Sequence, residues 1–439
     1  MSKIFVLADD LTGANDTGAA IRSIGWDTVS LVDCQAGPPP NDCSCLCVNL
    51  DSRTLAEEAA YERVRRCVQE FRTGGELVYS KRIDSTLRGN LGAESDAMLD
   101  ELFPDGAALI VPAFPRAGRS YYNDCVYVHG IPLSKTSVAS DPKCPVTADS
   151  AFSLFCSQSE RQCSLIGLGT VRAGPAVLYR EIRIRLDKSI QNLIFEAETD
   201  EDIEIIAAAA NRIDTPFIAV DPGAFTAKLV EKILGKCTVP PLPEHSFPGS
   251  KILAVIGSVN SVAKEQTRCL LDSPGTAHVI LDVDLLLESS LSCRRELLRA
   301  EAELAQLGEA HDVLALLFSS SMPDRSISLE KYMLRSGRDI EELSRTINDR
   351  LAQLAAGQLL RGYGGVFTTG GDITLSVCRR LGCSSIRISN EILPLAVGGI
   401  LNVPAVGPLA VATKGGMVGG GAASCLCVTY LQNILKGRG

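Results

Sequence analysis

Short apolar runs alternate along this chain with stretches in which apolar residues recur at helical spacing. The stretches with helical spacing predict helices at Thr54–Arg72, Ala263–Leu271 and Ile340–Leu360. A further helix, rich in small residues, is predicted to begin near Gly13 and Gly18. Alternation of this kind is typical of parallel sheets covered by helices, so the sequence predicts an α/β fold with mainly parallel sheets. The predicted strands are residues 4–8, Cys45–Asn49, Leu77–Ser80, Leu109–Pro112, Phe217–Val220, Ile252–Ile256, Val279–Val283, Val313–Phe318 and Gly365–Thr369.

The length of 439 residues exceeds what one hydrophobic core usually serves. Four prolines between Val239 and Gly249 exclude the interior of a helix or a central strand there and predict a linker at 239–250. We therefore expect two unlike α/β domains, 1–238 and 251–439, that face each other with the active site in the interdomain cleft.

Composition narrows the function classes. The formal net charge is −9 without a block of lysines and arginines, which argues against a dedicated nucleic-acid or membrane-surface binder. No apolar stretch approaches the ~20 residues of a membrane-spanning helix, and the first apolar run ends at two acids. A cytoplasmic location is the resulting expectation.

The cysteines and histidines offer little metal chemistry. Sixteen cysteines are scattered along the chain, and the closest groups, Cys43-x-Cys45-x-Cys47 and Cys425-x-Cys427, lack the spacing of zinc knuckles. They are predicted to be buried free thiols. The four histidines show no paired spacing, so a histidine metal site or catalytic triad is poorly supported, and the metal ligands stay unknown.

Charged residues follow the first strand, where an open parallel sheet collects its ligands. Asp9 and Asp10 come directly after residues 4–8, and Asp16 adds a third carboxylate. Such carboxylates can accept protons from the hydroxyls of a polyol, act as a base, or hold a divalent metal.

Arginines follow two further predicted strands. The segment Lys81–Asn90 contains Arg82, Asp84, Ser85 and Arg88, a combination that fits a hydroxylated acid. Arg53 is predicted either to clamp the same acid or to form a surface ion pair.

A rigid turn, Pro112–Arg119, repeats this pattern with two more arginines. It is either a proline-stiffened loop or part of the site, because loops after successive parallel strands converge on one edge.

Three glycine-rich segments in the second half predict a nucleotide site. Gly257-Ser258 separates a strand from a helix, and Thr368–Thr374 contains Gly370, Gly371 and Asp372, the last of which caps the next helix or holds Mg²⁺ through water. The third consists of Gly407-Pro408 and Thr413–Gly421, in which Lys414 suits a β- or γ-phosphate. Tight turns also use glycine, and none of the three matches the phosphate-loop motif ending in Gly-Lys-Ser/Thr.

At these residues the chain resembles the four-carbon acid sugar kinase family, which includes threonate/erythronate kinases and 3-oxo-tetronate kinases. The resemblance covers nearly the whole chain. Its motifs are Ala8–Ala14, Lys81–Gly89, Pro112–Pro115 with Gly118-Arg119, Gly130–Leu133 with Thr136, Asp141-Pro142, Gly257-Ser258 with Gln266, Thr369–Asp372 and Thr413–Gly416. The chain departs from the family pattern at Arg82, Ile373 and Gly415.

The resemblance implies an N-terminal acid-sugar domain, a C-terminal ATP domain and phosphorylation of the terminal hydroxyl of a C4 sugar acid. The cofactors implied are ATP and Mg²⁺, and the partners are small molecules. The substrate contacts implied are Asp10, Arg53, Arg82, Ile83, Asp84 and Ser85, and the ATP contacts implied are Ser258, Gly370, Gly371, Asp372, Thr413, Lys414, Gly415 and Gly416.

The working hypothesis is a sugar acid kinase whose domains close over Pro240–Gly249. Arg82, Arg53 or Arg88 would clamp the substrate carboxylate, while Asp10, Asp84 and Ser85 would bind its hydroxyls. Either Asp10 or Asp84 would take the hydroxyl proton, and Asp10 is preferred.

Two alternatives stay open at this point. One is a hydroxy-acid dehydrogenase or aldolase, which would lack its usual dinucleotide fingerprint and catalytic histidine pair here. The other is a non-catalytic sensor of a sugar acid or nucleotide. The sequence also leaves open which C4 acid is used and the oligomeric state, a homodimer included.

Overall fold

The computed structural model describes residues 2–35, 37, 42–141, 144–146, 148–238, 245–322, 324–325 and 327–437. These residues form two compact units, one within 1–240 and one within 241–439. Of the predicted linker at 239–250, residues 239–244 lie outside the described part of the chain.

The first unit is built on an eight-stranded sheet in which every pairing is parallel, in the order β2-β3-β1-β4-β11-β5-β10-β9. A separate antiparallel sheet has the order β6-β7-β8. The strands are β1 (Ile4–Ala8), β2 (Thr28–Leu31), β3 (Cys45–Asn49), β4 (Val78–Arg82), β5 (Ala107–Ile110), β6 (Arg119–Tyr122), β7 (Cys125–Val128), β8 (Ile131–Pro132), β9 (Cys163–Ile166), β10 (Asn192–Phe195) and β11 (Phe217–Asp221).

Helices connect these parallel strands. All residues of β1 and β3 are buried, because a parallel sheet is covered on both faces and its strands therefore read as continuous apolar runs. The helices are α1 (Leu11–Ser23), α2 (Glu57–Phe71), α3 (Leu91–Leu102), α4 (Ala151–Gln158), α5 (Leu168–Arg172), α6 (Pro175–Leu186), α7 (Asp200–Ala210) and α8 (Ala224–Leu234).

The strands of the second unit follow the order β13-β14-β12-β15-β18-β17-β16, and their pairing is parallel as far as β18 and antiparallel beyond it. Its strands are β12 (Lys251–Ile256), β13 (Thr276–Leu281), β14 (Val313–Phe318), β15 (Tyr363–Thr369), β16 (Ser385–Leu393), β17 (Ala396–Val403) and β18 (Gly407–Lys414). Its helices are α9 (Ser261–Leu271), α10 (Val283–Glu288), α11 (Ser290–Ala310), α12 (Glu330–Ser336), α13 (Ile340–Leu359), α14 (Gly371–Leu381) and α15 (Ala423–Leu435). Among the described helices, none combines the length and the apolar character needed to cross a membrane.

The predicted α/β class with mainly parallel sheets is confirmed. Of the third predicted glycine-rich segment, Gly407-Pro408 and Thr413-Lys414 are not loop residues, because they form the two ends of β18. The antiparallel strands β16 and β17 and the small sheet β6–β8 were not predicted. Glycines interrupt the apolar pattern of β17 because the ring of Tyr430 in α15 packs against it, where a Cβ on Gly398 would lie 2.4 Å from the ring. The cysteines are free thiols as predicted, but only half of them are buried. Cys156 and Cys237 are exposed, and the partly buried ones are Cys125, Cys144, Cys163, Cys269, Cys293 and Cys425.

Candidate active site

In the first unit, three neighbouring strands end at the same level of the sheet. Ala8 at the end of β1 pairs in register with Asn49 of β3 on one side and with Arg82 of β4 on the other. The segments that follow these strands therefore leave the sheet at its carboxyl edge together, and the Ser52 amide donates to the Asp9 carbonyl oxygen at 3.0 Å.

Arg53 is the centre of the charges gathered there. Its Nε lies 2.7 Å from Asp9 Oδ2, its Nη1 2.9 Å from Asp10 Oδ2, and its Nη2 3.5 Å from Asp84 Oδ1. Burial alone would lower the pKa of Arg53, but the three carboxylates raise it well above its usual value. The predicted convergence of Asp10, Arg53 and Asp84 is therefore observed, and Arg53 is engaged on all three of its nitrogens.

Asp10 occupies the junction between β1 and α1. Its Oδ1 accepts a hydrogen bond from the Gly13 amide at 2.7 Å, which makes it the N-cap of α1. Its side chain remains 26% exposed, whereas that of Asp9 is only 3% exposed. Burial, reinforced by the charge of Asp9, raises the pKa of Asp10 in spite of Arg53. Asp10 thus combines access with increased basicity.

Asp84 has the opposite electrostatic character. It accepts from Arg88 Nε at 2.8 Å and from the Thr86 hydroxyl, and Arg53 adds the third contact. Although burial alone would raise it, Arg88 and Arg53 hold the pKa of Asp84 well below its usual range. Arg88 in turn lies 2.8 Å from Asp141. Asp84 is consequently a fixed anion that holds two arginines in place.

Two members of the Lys81–Ser85 segment lie away from this group of charges. Lys81 is fully buried and forms a 2.6 Å ion pair with Glu94 of α3, so it belongs to the packing between strand and helix. The Ile83 side chain is fully buried in the hydrophobic core, and its amide donates to Asp221 at 3.1 Å. A substrate contact from Ile83 would have to involve its backbone. Ser85 is buried in the turn beside Asp84.

The Arg82 guanidinium lies beside the N-terminus of α1. Its side chain is 3% exposed, and a Cβ on Gly13 would lie 3.1 Å from Arg82 Cζ, so glycine at this position leaves the room that the guanidinium occupies. Its Nη1 donates to the Ile83 carbonyl, and its Nη2 is 3.9 Å from Asp16. Arg82 Nε is buried and has no hydrogen-bond partner among the described residues.

In the second unit, the turn after β12 meets the loop after β18. Asn260 is the N-cap of α9, accepting from the Ala263 amide at 2.9 Å, and it donates to the Ser258 hydroxyl at 2.7 Å. A Cβ on Gly416 would lie 2.4 Å from Ser258 Oγ, so the two loops can approach this closely only with glycine there. The Gln266 amide also bonds the carbonyls of Val418, Gly419 and Gly420, which fixes the same loop.

The N-terminus of α14 lies beside these loops. Gly370 adopts a φ of 99°, its amide donates to the Lys414 carbonyl at 2.9 Å, and no side chain of the described residues caps the helix at this position. Asp372 was predicted to cap the helix or hold Mg²⁺; the cap part is wrong, because Gly370 is the N-cap and Asp372 lies in the first turn. The Thr369 hydroxyl is buried and has no partner within the described chain. Thr369 was not among the predicted ATP contacts, although it belongs to the Thr369–Asp372 motif.

Lys414 ends β18 with its side chain 1% exposed. Its Nζ donates to the carbonyls of Gly415 at 2.8 Å and Val418 at 3.4 Å, and no carboxylate within the described residues pairs with it. Burial lowers the pKa of Lys414 to about 8. Thr413 precedes it at the end of the same strand and is also buried. A buried ammonium without a carboxylate and helix amides without a cap are both groups that favour an anionic ligand.

Neither group of residues forms a protein-only metal centre. Within the ranges that the structure describes, no three His, Cys, Asp or Glu side chains come together in a way that could hold a metal ion. Mg²⁺ is usually bound by one or two carboxylates together with substrate phosphates, for which Asp372 is the predicted carboxylate.

Comparison with known proteins finds a separate family model that matches each half of the chain. Residues 4–229 match the family model of a sugar-binding N-terminal domain, and residues 253–423 match that of a nucleotide-binding C-terminal domain. A Heliobacterium modesticaldum protein named D-erythronate kinase is 34% identical over 98% of this chain and 97% of its own length. A Salmonella typhimurium protein named D-threonate kinase is 28% identical over 99% of this chain and 100% of its own.

The fold has a counterpart among crystal structures. A Haemophilus influenzae protein, 20% identical, has a TM-score of 0.71 and covers 99% of both chains. The matches to relatives and family models extend over both the charged edge of the first unit and the glycine loops of the second. From this agreement along nearly the whole sequence, we conclude that the chain belongs to the four-carbon acid sugar kinase family.

Proposed function

We propose that this protein is an ATP-dependent kinase that phosphorylates the terminal hydroxyl of a four-carbon sugar acid, such as threonate, erythronate or a 3-oxo-tetronate. The observation that carries the proposal is Asp10, a partly exposed carboxylate with a raised pKa at the sheet edge of the sugar-binding half. A carboxylate of this kind suits a general base for a hydroxyl nucleophile.

Asp10 and Asp84 would divide the work by their electrostatics. The raised pKa of Asp10 makes it the better proton acceptor, so it would orient the terminal hydroxyl and take its proton. Asp84, whose pKa is held low by Arg88 and Arg53, would stay ionised and keep both arginines in position. Catalysis would then depend mainly on positioning and on neutralising charge.

Two observations support a site for the phosphates of a nucleotide in the second unit. Thr369, whose buried hydroxyl has no partner within the described residues, directly precedes α14 and pairs in register with Lys414, whose ammonium has no carboxylate there. The hydroxyl, the ammonium and the uncapped amides of α14 are all donors that a phosphate would satisfy. Ser258 and the Gly415–Gly416 turn would border the same phosphates, and Asp372 would provide a carboxylate for Mg²⁺. When bound, Mg-ATP supplies the phosphoryl group that is transferred.

A coupled assay of ADP release tests this function. D- and L-threonate, D-erythronate and 3-oxo-tetronates are each supplied with Mg-ATP, with reactions lacking acid or lacking ATP as controls. We expect ADP release that requires both ATP and one of the acids, and a phosphate monoester on the terminal carbon of the product by ³¹P NMR.

Two results would refute the proposal. Conversion of the acid without ATP would favour a dehydrogenase or aldolase. Binding of the acid with no ADP release under any condition would favour a non-catalytic sensor.

A further inference from the structure

We propose that Arg119, together with Arg82, forms the subsite for the carboxylate of the substrate, and that Arg53 and Arg88 instead serve to hold the carboxylates of the protein. This inference rests on the proposed function and deepens it, because it selects which arginines recognise the acid. Arg119 belongs to the Pro112–Arg119 turn, for which the sequence offered both a structural and a functional interpretation.

Arg53 and Arg88 already bind carboxylates of the protein. Arg53 contacts Asp9, Asp10 and Asp84, and Arg88 contacts Asp84 and Asp141, all within 3.5 Å. A guanidinium has five N–H donors on three nitrogens, and in both arginines all three nitrogens already contact a carboxylate of the protein, so a ligand would have to compete with these contacts.

Arg82 and Arg119 differ from these two. The one ion-pair contact of Arg82 among the described residues is Asp16 at 3.9 Å, and Arg119 has none there. Both have a buried Nε without a hydrogen-bond partner in the described chain. Arg82 is buried and Arg119 is half-buried. A cation withdrawn from water without an anion is unfavourable, and binding an anionic ligand would reduce that penalty.

Arg119 lies close to the charges of the site. The charged groups that act on it are Asp84, Arg88 and Arg82, and burial lowers the pKa of Arg119, as expected for a cation without a compensating carboxylate. β5, which precedes the Pro112–Arg119 turn, runs parallel to β11, and β11 runs parallel to β4, with Ile110 in register with Val220 and Asp221 in register with Arg82. The turn that carries Arg119 therefore leaves the sheet at the same carboxyl edge as Arg82.

The backbone of Arg119 is firmly positioned. Its amide donates to the Phe114 carbonyl at 3.0 Å and its carbonyl accepts from the Phe114 amide at 2.9 Å, closing the turn. Gly118 has a φ of 73°, and a Cβ there would lie 2.3 Å from the ring of His129. Arg119 also pairs with Val128 of β7. The guanidinium itself is oriented by Nη1, which donates to the Ala117 carbonyl. Its remaining N–H donors can bind a carboxylate with little further loss of entropy.

The substitution Arg119→Gln tests the assignment, with Arg116→Gln as the matched control on the exposed side of the same turn. Substrates are D-erythronate and D-threonate, each compared with the uncharged polyols erythritol and D-threitol. We expect Arg119→Gln to raise KM for the acids about 10- to 100-fold with kcat changed less than about threefold, and to leave the weak turnover of the polyols unchanged. Arg119→Lys should recover part of the affinity, because it restores the charge without the fork.

Several outcomes would overturn the inference. These are an unchanged KM for the acids in Arg119→Gln, an equal loss for acids and polyols, and an equal loss in Arg116→Gln. If Arg119→Gln does not fold, Arg119→Lys provides the same comparison. Turnover of no acid by the wild type would refute the proposed function instead. Calorimetry with D-erythronate and no nucleotide then decides, since the inference requires binding by the wild type and its loss in Arg119→Gln.

Discussion

The two units differ in the kind of groups that they offer to a polar ligand. The first gathers charged side chains on one sheet edge, where Arg53 alone contacts three carboxylates. The second depends on backbone amides and on the space left by glycines, with Lys414 as the one buried cation of its loops in the described chain. The first arrangement offers charged side chains, whereas the second offers mainly backbone donors and space. Under the proposed function, the first would select the sugar acid by its hydroxyls and charge, and the second would bind the phosphates of the nucleotide.

This difference determines how each unit should respond to substitution. In the first unit the charges support one another, so removal of one carboxylate also releases the arginines that it held. In the second unit, a single methyl group on a closely packed glycine should disturb the site, whereas one on a glycine with open space around it should not. The experiments that follow test this contrast, beginning with the largest expected effect.

Replacing Asp10 and Asp84 one at a time should distinguish a catalytic base from a carboxylate that positions arginines. Asp10→Asn keeps an oxygen to cap α1 but removes the basic group, so kcat should fall about 100-fold or more with KM for ATP unchanged. Asp84→Asn loosens Arg53 and Arg88, so it should mainly raise KM for the sugar acid and lower the melting temperature. Steady-state kinetics and thermal unfolding of both variants measure these effects.

The assignment of the base would be wrong if Asp10→Asn retained wild-type turnover. It would be reversed if Asp84→Asn lost more kcat than Asp10→Asn while both remained folded.

Removing Lys414, the one buried cation among the described residues of the second unit, should lower the affinity for ATP without lowering the stability. Lys414→Met keeps most of the volume of the side chain and removes an ammonium whose burial is unfavourable. KM for ATP should rise about 10- to 100-fold, while the melting temperature stays equal or increases. A lower melting temperature with unchanged ATP kinetics would mean that Lys414 has a structural role instead.

The sequence predicted those features that depend on local pattern. The apolar runs of β1 and β3 are buried on both faces, and the acids that follow β1 can only leave the sheet at its carboxyl edge, so their convergence with Arg53 was predictable. The same logic located the turns at Gly257 and Gly370.

What the sequence could not predict depends on long-range contacts. Lys81 and Arg82 are adjacent and both cationic, yet only the packing of α3 shows that Lys81 pairs with Glu94 while Arg82 lies at the sheet edge. The difference between Asp10 and Asp84 arises from the way that Arg53 and Arg88 distribute their contacts. β17 was missed because its glycines are selected by the ring of Tyr430, which is distant in sequence.

Steric closure of the second site can be tested at two glycines of one loop. Gly416→Ala would place a Cβ 2.4 Å from Ser258 Oγ, whereas a Cβ at Gly420 meets no atom within 4 Å. We therefore expect Gly416→Ala to raise KM for ATP about tenfold and Gly420→Ala to leave it unchanged. Ser258→Ala added to Gly416→Ala should recover part of the loss. Equal behaviour of the two single variants would contradict a site limited by space.

The smallest expected effect is a pH dependence confined to the second unit. The pKa of Lys414 is lowered by burial to about 8, below its ordinary value of 10.5, so the ammonium that attracts phosphate is progressively lost above that pH. KM for ATP should be level below pH 8 and rise several-fold by about pH 9, whereas in Lys414→Met it should stay level throughout.

The free energy of unfolding should also depend on pH, in the direction that a lowered pKa of Lys414 requires. Between pH 8 and 10.5 the unfolded chain binds more protons at Lys414 than the folded protein does, so the free energy of unfolding of the wild type should rise with pH relative to Lys414→Met. Below pH 8 the charged, buried lysine should leave the wild type the less stable of the two. Chemical unfolding of both proteins across this range measures the difference, and parallel curves would show that Lys414 keeps an ordinary pKa. The contrast between the two units would then rest on the glycines alone, because the buried cation would no longer distinguish the second site.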